Sequence, residues 1–277
     1  MTRRRGLAWL LVVGALAHAR PAAAQQCHQL GGNAWRNSGL YFGVRLEAAG
    51  YRNSRFEGDY EGVAPAISFN HRRFSLLALL PMYRLTRNGP ATYGLGDLAL
   101  AARIPVPQWA THHFSAGFGL AATFPTGDDE RDLGMGHVMV MPDFWWAHEH
   151  GRVQFQGTVG FGRALAGQVG HTHHASGPRP IVNPMNMAEI EGSLVTLLQV
   201  HRSVWLRASV YGAMPVGTVN PNGVTRVMLS QGLVVQARGV EVALELQAPL
   251  AGQPYLARGV LQVGYRFDVK PRRKTRG

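Results

Sequence analysis

Apolar and polar residues alternate one for one along much of this chain. In residues 40–48 one phase reads Leu40, Phe42, Val44, Leu46 and Ala48, and the other Tyr41, Gly43, Arg45 and Glu47. A β-strand sends successive side chains to opposite faces, so this segment has one oily wall and one wet wall. The same pattern runs through Phe114, Ala116, Phe118, Leu120, Ala122 and Phe124, through Val153, Phe155, Val159 and Phe161, and through Val240, Val242, Leu244, Leu246 and Ala248. Strands are predicted over 39–50, 60–70, 73–85, 94–105, 112–125, 137–147, 152–164, 187–200, 203–215, 224–236, 239–250 and 258–269. The phase is ambiguous in 187–200 and 224–236.

The connections carry a second signal. Long ones are expected near 51–59, 86–93, 126–136, 165–186, 216–223 and 251–257, and short ones near 71–72, 106–111, 148–151, 201–202 and 237–238. Long loops alternating with tight turns, on strands of about ten residues, describe a single antiparallel up-and-down transmembrane β-barrel of about 12 strands, all-β, with both termini on the tight-turn side. Residues 104–127 carry no formal charge, but Pro105, Pro107 and Pro125 and the period of two exclude a membrane helix there. Phe69 and Phe74, Phe114 and Phe124, and Phe144, Trp145 and Trp146 fall near strand ends, where aromatic rings suit the headgroup level.

Composition points the same way. Arg3, Arg4 and Arg5, the apolar run Leu7 to Ala17 and the small residues Ala22-Ala23-Ala24 read as a secretory signal peptide over 1–24. A periplasmic segment over 25–38, a barrel over 39–269 and a basic tail over 270–277 complete the expected organisation. The net charge is +12, but four arginines lie in 1–24 and five basic residues in 270–277, so the body carries about +3. The positive balance therefore sits at the two ends and implies no nucleic-acid partner. Charged residues make up 16% of the chain, against about 25% in a soluble domain. Lysine occurs only at Lys270 and Lys274. A soluble secreted β domain would have to show water a face of Gly, Ser, Gln and Arg with no lysines. Cys27 is the single cysteine, which excludes an intrachain disulfide. Ala24-Gln25-Gln26 before it lacks the pattern of a lipidated cysteine.

The polar phases would turn Arg45, Glu47, Asp97, Arg103, Arg152, Glu189, Glu191, Arg207, Glu241, Glu245 and Arg266 into the lumen. An Arg on the lipid face at mid-depth would cost roughly 2–4 kcal/mol, which favours the inward placement. Mixed charges there either line an aqueous path or pair across it and fill it; the sequence leaves both open. His171, His173 and His174 in the longest loop have ligand chemistry for zinc, copper or nickel, with a solvated loop as the plainer account. His148 and His150 offer only two ligands. The acidic run Asp128-Asp129-Glu130 lacks calcium-loop spacing. Ser193, Ser209, His137 and His201 fall in no catalytic motif, so no enzyme is expected.

Residues Gly94-Leu95-Gly96-Asp97-Leu98-Ala99-Leu100-Ala101-Ala102-Arg103 resemble a strand of the MetA-pathway phenol-degradation family of outer-membrane channels, whose pattern is Gly-x-Gly-Asp-x-x-Leu-x-x-(Lys/Arg). Phe124-Pro125-Thr126-Gly127-Asp128 is similar to that family's Leu-Pro-Thr-Gly-Asp turn, and Leu79-Leu80-Pro81-Met82-Tyr83 to its leucine-proline-tyrosine strand. The resemblance spans 40–269, with its specific motifs within 74–130. It implies an outer-membrane barrel of transporter type, sometimes found beside catabolic genes for aromatic compounds, and supplies no catalytic residues. The chain departs from many such barrels in following its last aromatic, Phe267, with ten further residues. The expected function is passive passage or uptake of a small, hydrophobic or aromatic molecule without a cofactor. The alternative is a non-conducting structural or metal-binding barrel with a filled interior. Expected partners are outer-membrane lipid and the solute; the oligomeric state is left open.

Overall fold

The computed structural model describes residues 38–52, 57–71, 73–167, 185–217, 223–252 and 255–268. The expected signal peptide, the basic tail and His171, His173 and His174 lie outside the described residues. The alternating segments form β1 (Gly39–Arg52), β2 (Glu57–His71), β3 (Phe74–Leu79), β4 (Met82–Arg87), β5 (Ala91–Leu95), β6 (Leu98–Pro105), β7 (Phe114–Phe124), β8 (His137–His150), β9 (Val153–Gly167), β10 (Ala188–His201), β11 (Val204–Pro215), β12 (Arg226–Ala237), β13 (Val240–Ala251) and β14 (Tyr255–Asp268). β1 pairs antiparallel with both β2 and β14, so the sheet closes and no edge is left.

The fourteen segments make twelve staves. β3 and β4 both pair with β2 and are one stave interrupted at Leu80-Pro81; β5 and β6 are the next, interrupted at Gly96-Asp97. Pro81 has no N–H to give a ladder, and a proline restricts the residue before it. The breaks are bridged by single bonds, Leu80 N–H to the Pro65 carbonyl (3.2 Å) and Gly96 N–H to the Pro81 carbonyl (2.8 Å). Tyr83 lies so close over Gly62 and Gly96 that a Cβ on either would collide with its ring.

The outer face is apolar where it meets lipid. Phe42, Leu46, Phe118, Val159, Leu194 and Leu244 each keep about 40% or more of their surface exposed, an arrangement that water would penalise and hydrocarbon does not. The outward charges Asp59, Glu61 and Arg84 pair with one another near the rim opposite the termini. Phe42, Tyr265 and Phe267 form an aromatic group at the terminal rim, and Trp109, Phe118 and Phe144 another.

Two expectations need correction. The loops between β1 and β2, β4 and β5, and β13 and β14 are not long: they span only 53–56, 88–90 and 252–254. The 14 residues of β1, tilted by roughly 40°, rise about 35 Å, more than the roughly 25 Å of a barrel's apolar band. The strands run past the membrane and take up residues assigned to loops. Meanwhile the terminal-side connection 106–113 is longer than those three and carries a short 3-10 turn, Pro107–Trp109. Trp145 is the second correction. It points inward, 5% exposed, because its parity on β8 is that of Asp143; Phe144 and Trp146 face out.

Candidate functional site: the barrel interior

Three groups of side chains meet inside the barrel. On the β1–β2–β13–β14 side, Glu47 accepts from Arg45 (2.9 Å), and Arg258 Nη1 stands 3.8 Å from the same carboxylate. Arg258 also donates to Gln247 Oε1 (2.6 Å) and the Tyr60 hydroxyl (3.2 Å), and its guanidinium lies over the Tyr255 ring. Tyr60 packs edge-on against Tyr83 and Tyr255, and the Tyr255 hydroxyl reaches Met228 Sδ at 2.9 Å. Arg258 and Gln247 are wholly buried. This side is a filled polar–aromatic wedge.

The second group centres on β10–β12. Glu189 Oε2 accepts from Arg226 (2.5 Å) and from the backbone and side-chain amides of Asn186 (3.0 and 2.8 Å). Asn186 also exchanges two bonds with the Val224 backbone, tying two loop ends together. Tyr211 donates to Glu191 at 3.1 Å. Further round, Arg207 lies 3.6 Å from Glu245, and Arg103 sits 3.5 Å from Asp143 with its guanidinium over Trp145.

The third group is apolar. Opposite residues across β3, β6, β7 and β8 form two rows: Leu79, Ala99, Thr123, Met139, and one step nearer the terminal rim Leu77, Ala101, Ala121, Met141. Met135 and Met185 close over them, and Met139 and Met141 are fully buried. The segment 125–136 folds inward above this wall. Asp97, at the break between β5 and β6, accepts the backbone N–H groups of Gly127 (3.1 Å) and Met135 (2.7 Å). Asp132 pairs with Arg87, and Leu133 is 1% exposed among Tyr83 and Leu85. Gly136, at φ +68°, returns the chain to β8 in a conformation that favours glycine.

Toward the terminal rim the interior is polar and more open. Gln154, Gln156, Trp205, Gln236, Glu241 and Gln262 are half-exposed. Gln236 donates to Glu241, and Gln262 to the Tyr41 hydroxyl.

Of the charges expected inside, Arg45, Glu47, Arg103, Glu189, Glu191 and Glu245 are buried within the barrel, and Arg207, Glu241 and Arg266 are half-buried there. Asp97 holds a loop. Arg152 is a correction: it stands exposed in the turn between β8 and β9, where Gly151 at φ +57° reverses the chain before the next strand starts. Ser193 bonds Thr158 and Ser209 bonds Ser230. Among the described residues no three His, Cys, Asp or Glu side chains gather as metal ligands. Arg226, Arg258 and Asp143 were not singled out from sequence. Arg258 shares parity with Arg266, and Arg226 with Ser230 and Gln236, so the period of two was a usable signal.

No protein-family model matches the sequence, and no curated protein matches it in sequence. Solved structures do match in fold. The COG4313 outer membrane channel from Pseudomonas putida F1 superposes with a TM-score of 0.63 at 13% identity, covering 91% of this chain and 98% of that one. The NanC porin gives 0.51 at 10% identity, covering 82% and 100%. The KdgM porin in complex with oligogalacturonate gives 0.50 at 10%, covering 82% and 99%. At such identities the likeness is one of architecture: a closed twelve-stranded antiparallel barrel of the outer-membrane type.

Proposed function

We propose that this chain is an outer-membrane barrel for the passive passage of a small solute, and that the solute is apolar or aromatic. The observation that carries this is the lumen wall of β3, β6, β7 and β8. Porins that pass water-soluble solutes keep a polar interior, whereas here methionine and alanine line one side beneath an inward-folded loop. Below them the half-exposed Gln and Glu residues give a wetted exit. The motifs within 74–130 that resemble the MetA-pathway phenol-degradation family lie in the same staves, and they support both the family and an aromatic cargo. Export past the inner membrane on the signal peptide over 1–24 belongs to the same proposal, and so does the absence of catalysis.

A second reading has its own observation. Arg258, Gln247, Glu189 and Arg226 are all buried to 2% exposure or less, as in a stitched, non-conducting barrel. Planar-bilayer recording of the refolded mature protein separates the two. Discrete conductance steps, blocked by added phenol and no longer blocked in Met141→Glu, support passage of an aromatic solute. A barrel that shows heat-modifiable migration on a gel but no steps establishes the filled interior instead.

A further inference from the structure

Four methionines pack into one buried cluster of the barrel, and His137 lies on the same strand as two of them. His137, Met139 and Met141 sit at every second position of β8 and turn the same way, and Met135 precedes them in the inward loop, across Gly136. Met185, just before β10, packs into the same cluster. All five are buried, at 0–5% exposure. Alternate residues on a strand stand about 7 Å apart, a gap that unbranched methionine side chains close by rotating. A lumen wall that only needed apolar filler is better served by Leu or Ile, whose rotamers are better defined.

The electrostatics of the place are unusual too. A Cβ added to Gly162 would meet Met139 Cε at 3.1 Å, Glu189 Cγ at 3.3 Å and Met141 Cγ at 3.4 Å, so the stem of Glu189 and the two methionines surround the same glycine. Glu189 uses only Oε2 for Arg226 and Asn186; its buried Oε1 accepts no hydrogen bond from the described residues. A buried carboxylate oxygen of that kind costs free energy unless a cation or donor comes to it.

We propose that Met135, His137, Met139, Met141 and Met185 form a binding site for a soft monovalent cation, Cu(I) or Ag(I). Thioethers select such ions over Zn(II) and Cu(II), which want imidazole, thiolate or carboxylate in numbers this site does not offer. The site goes beyond solute passage and does not depend on it.

The test uses the full-length mature barrel with Cys27→Ser, which removes the single thiol from the comparison. Cu(I) held by the chromophoric chelator bathocuproine disulfonate is titrated with folded protein, and Ag(I) with X-ray absorption reads the donor atoms. One Cu(I) per barrel is expected, with sulfur-dominated scattering for silver. The double variant Met139→Leu/Met141→Leu keeps volume and apolarity, and its heat-modifiable migration reports whether it folds. It should lose more affinity than the roughly 10–100-fold that an outer-shell change costs. His171→Ala/His173→Ala/His174→Ala should leave binding in place. Equal Cu(I) uptake by the folded leucine variant, or its loss in the histidine-loop variant, overturns the proposal. Conductance is read on the unsubstituted barrel, so failure of the passage reading and failure of the metal site are separate results.

Discussion

Replacing Asp97 with alanine should free the inward loop without disturbing the barrel. Its carboxylate takes two backbone N–H groups, those of Gly127 and Met135 at 3.1 and 2.7 Å, and no strand ladder passes through it. Hydrogen bonds to a charged group contribute about 1.5–3 kcal/mol each, so losing both raises the open fraction of the loop by about a hundredfold or more. Leu133 and the Arg87–Asp132 pair still oppose opening, which keeps the closed state in the majority. Trypsin cleavage after Arg131, whose side chain is 62% exposed, reads this in folded protein, because proteolysis follows the open population when reclosing is fast. The cleavage rate should rise about a hundredfold in line with the lost bonds, with heat-modifiable migration unchanged. Asp97→Asn keeps one acceptor oxygen and should fall between. Wild-type cleavage rates in Asp97→Ala would refute the reasoning and assign the hold to Leu133 and Arg87 alone.

Two further outcomes test the interior and the exterior. Glu189→Gln leaves the Arg226 guanidinium buried without its counter-charge and should destabilise the barrel by about 3–5 kcal/mol in denaturant unfolding, with Glu189→Gln/Arg226→Met recovering most of it; an unchanged midpoint in the single variant would show that the pair adds nothing. Leu244→Arg, midway along β13 and exposed on the outer face, places a charge on the lipid face and should cost roughly 2–4 kcal/mol on folding into bilayers, whereas Gln156→Arg on the polar inner face should cost little. Equal costs would mean that the two faces have been assigned the wrong way round.

The staves were legible because lipid outside and polar groups inside give a strand two contrasting faces. That contrast sets the parity of Arg45, Glu47, Glu241 and Glu245, and all four point inward. Where the contrast fades, the function of a position was hidden. Over 137–147 both phases are apolar, Val138 and Val140 outward, Met139 and Met141 inward, so alternation says strand but not which side matters. Arg258 and Arg226 fell at the margins of their strands, where boundaries are least certain. Asp97 was placed inside by parity, yet its role comes from the break beside it, and a break is a property of three neighbouring staves that meet only in the fold. Loop lengths misled because the strands extend past the membrane, which periodicity in the membrane-facing part does not report.

The same asymmetry determines where a solute could pass. Moving the Arg258 wedge means parting contacts among β1, β2, β13 and β14, whose ladders are broken only by a register shift at Gly50/Tyr51 and whose buried charges lose their partners at about 3–5 kcal/mol each. On the opposite side the wall is alanine, which fills little, and methionine, which rotates easily, below a loop held by a few bonds. On the proposed function, passage therefore belongs along β6, β7 and β8. Ala121 lies between Ala101 and Met141 in one row and is 1% exposed. Ala121→Leu adds bulk at that level at an overpacking cost of about 1–3 kcal/mol, which a closed barrel tolerates. It should reduce single-channel conductance, while Tyr60→Phe on the wedge side should not. A folded Ala121→Leu barrel with undiminished steps would put the path on the charged side, and the methionine wall would then be core rather than conduit.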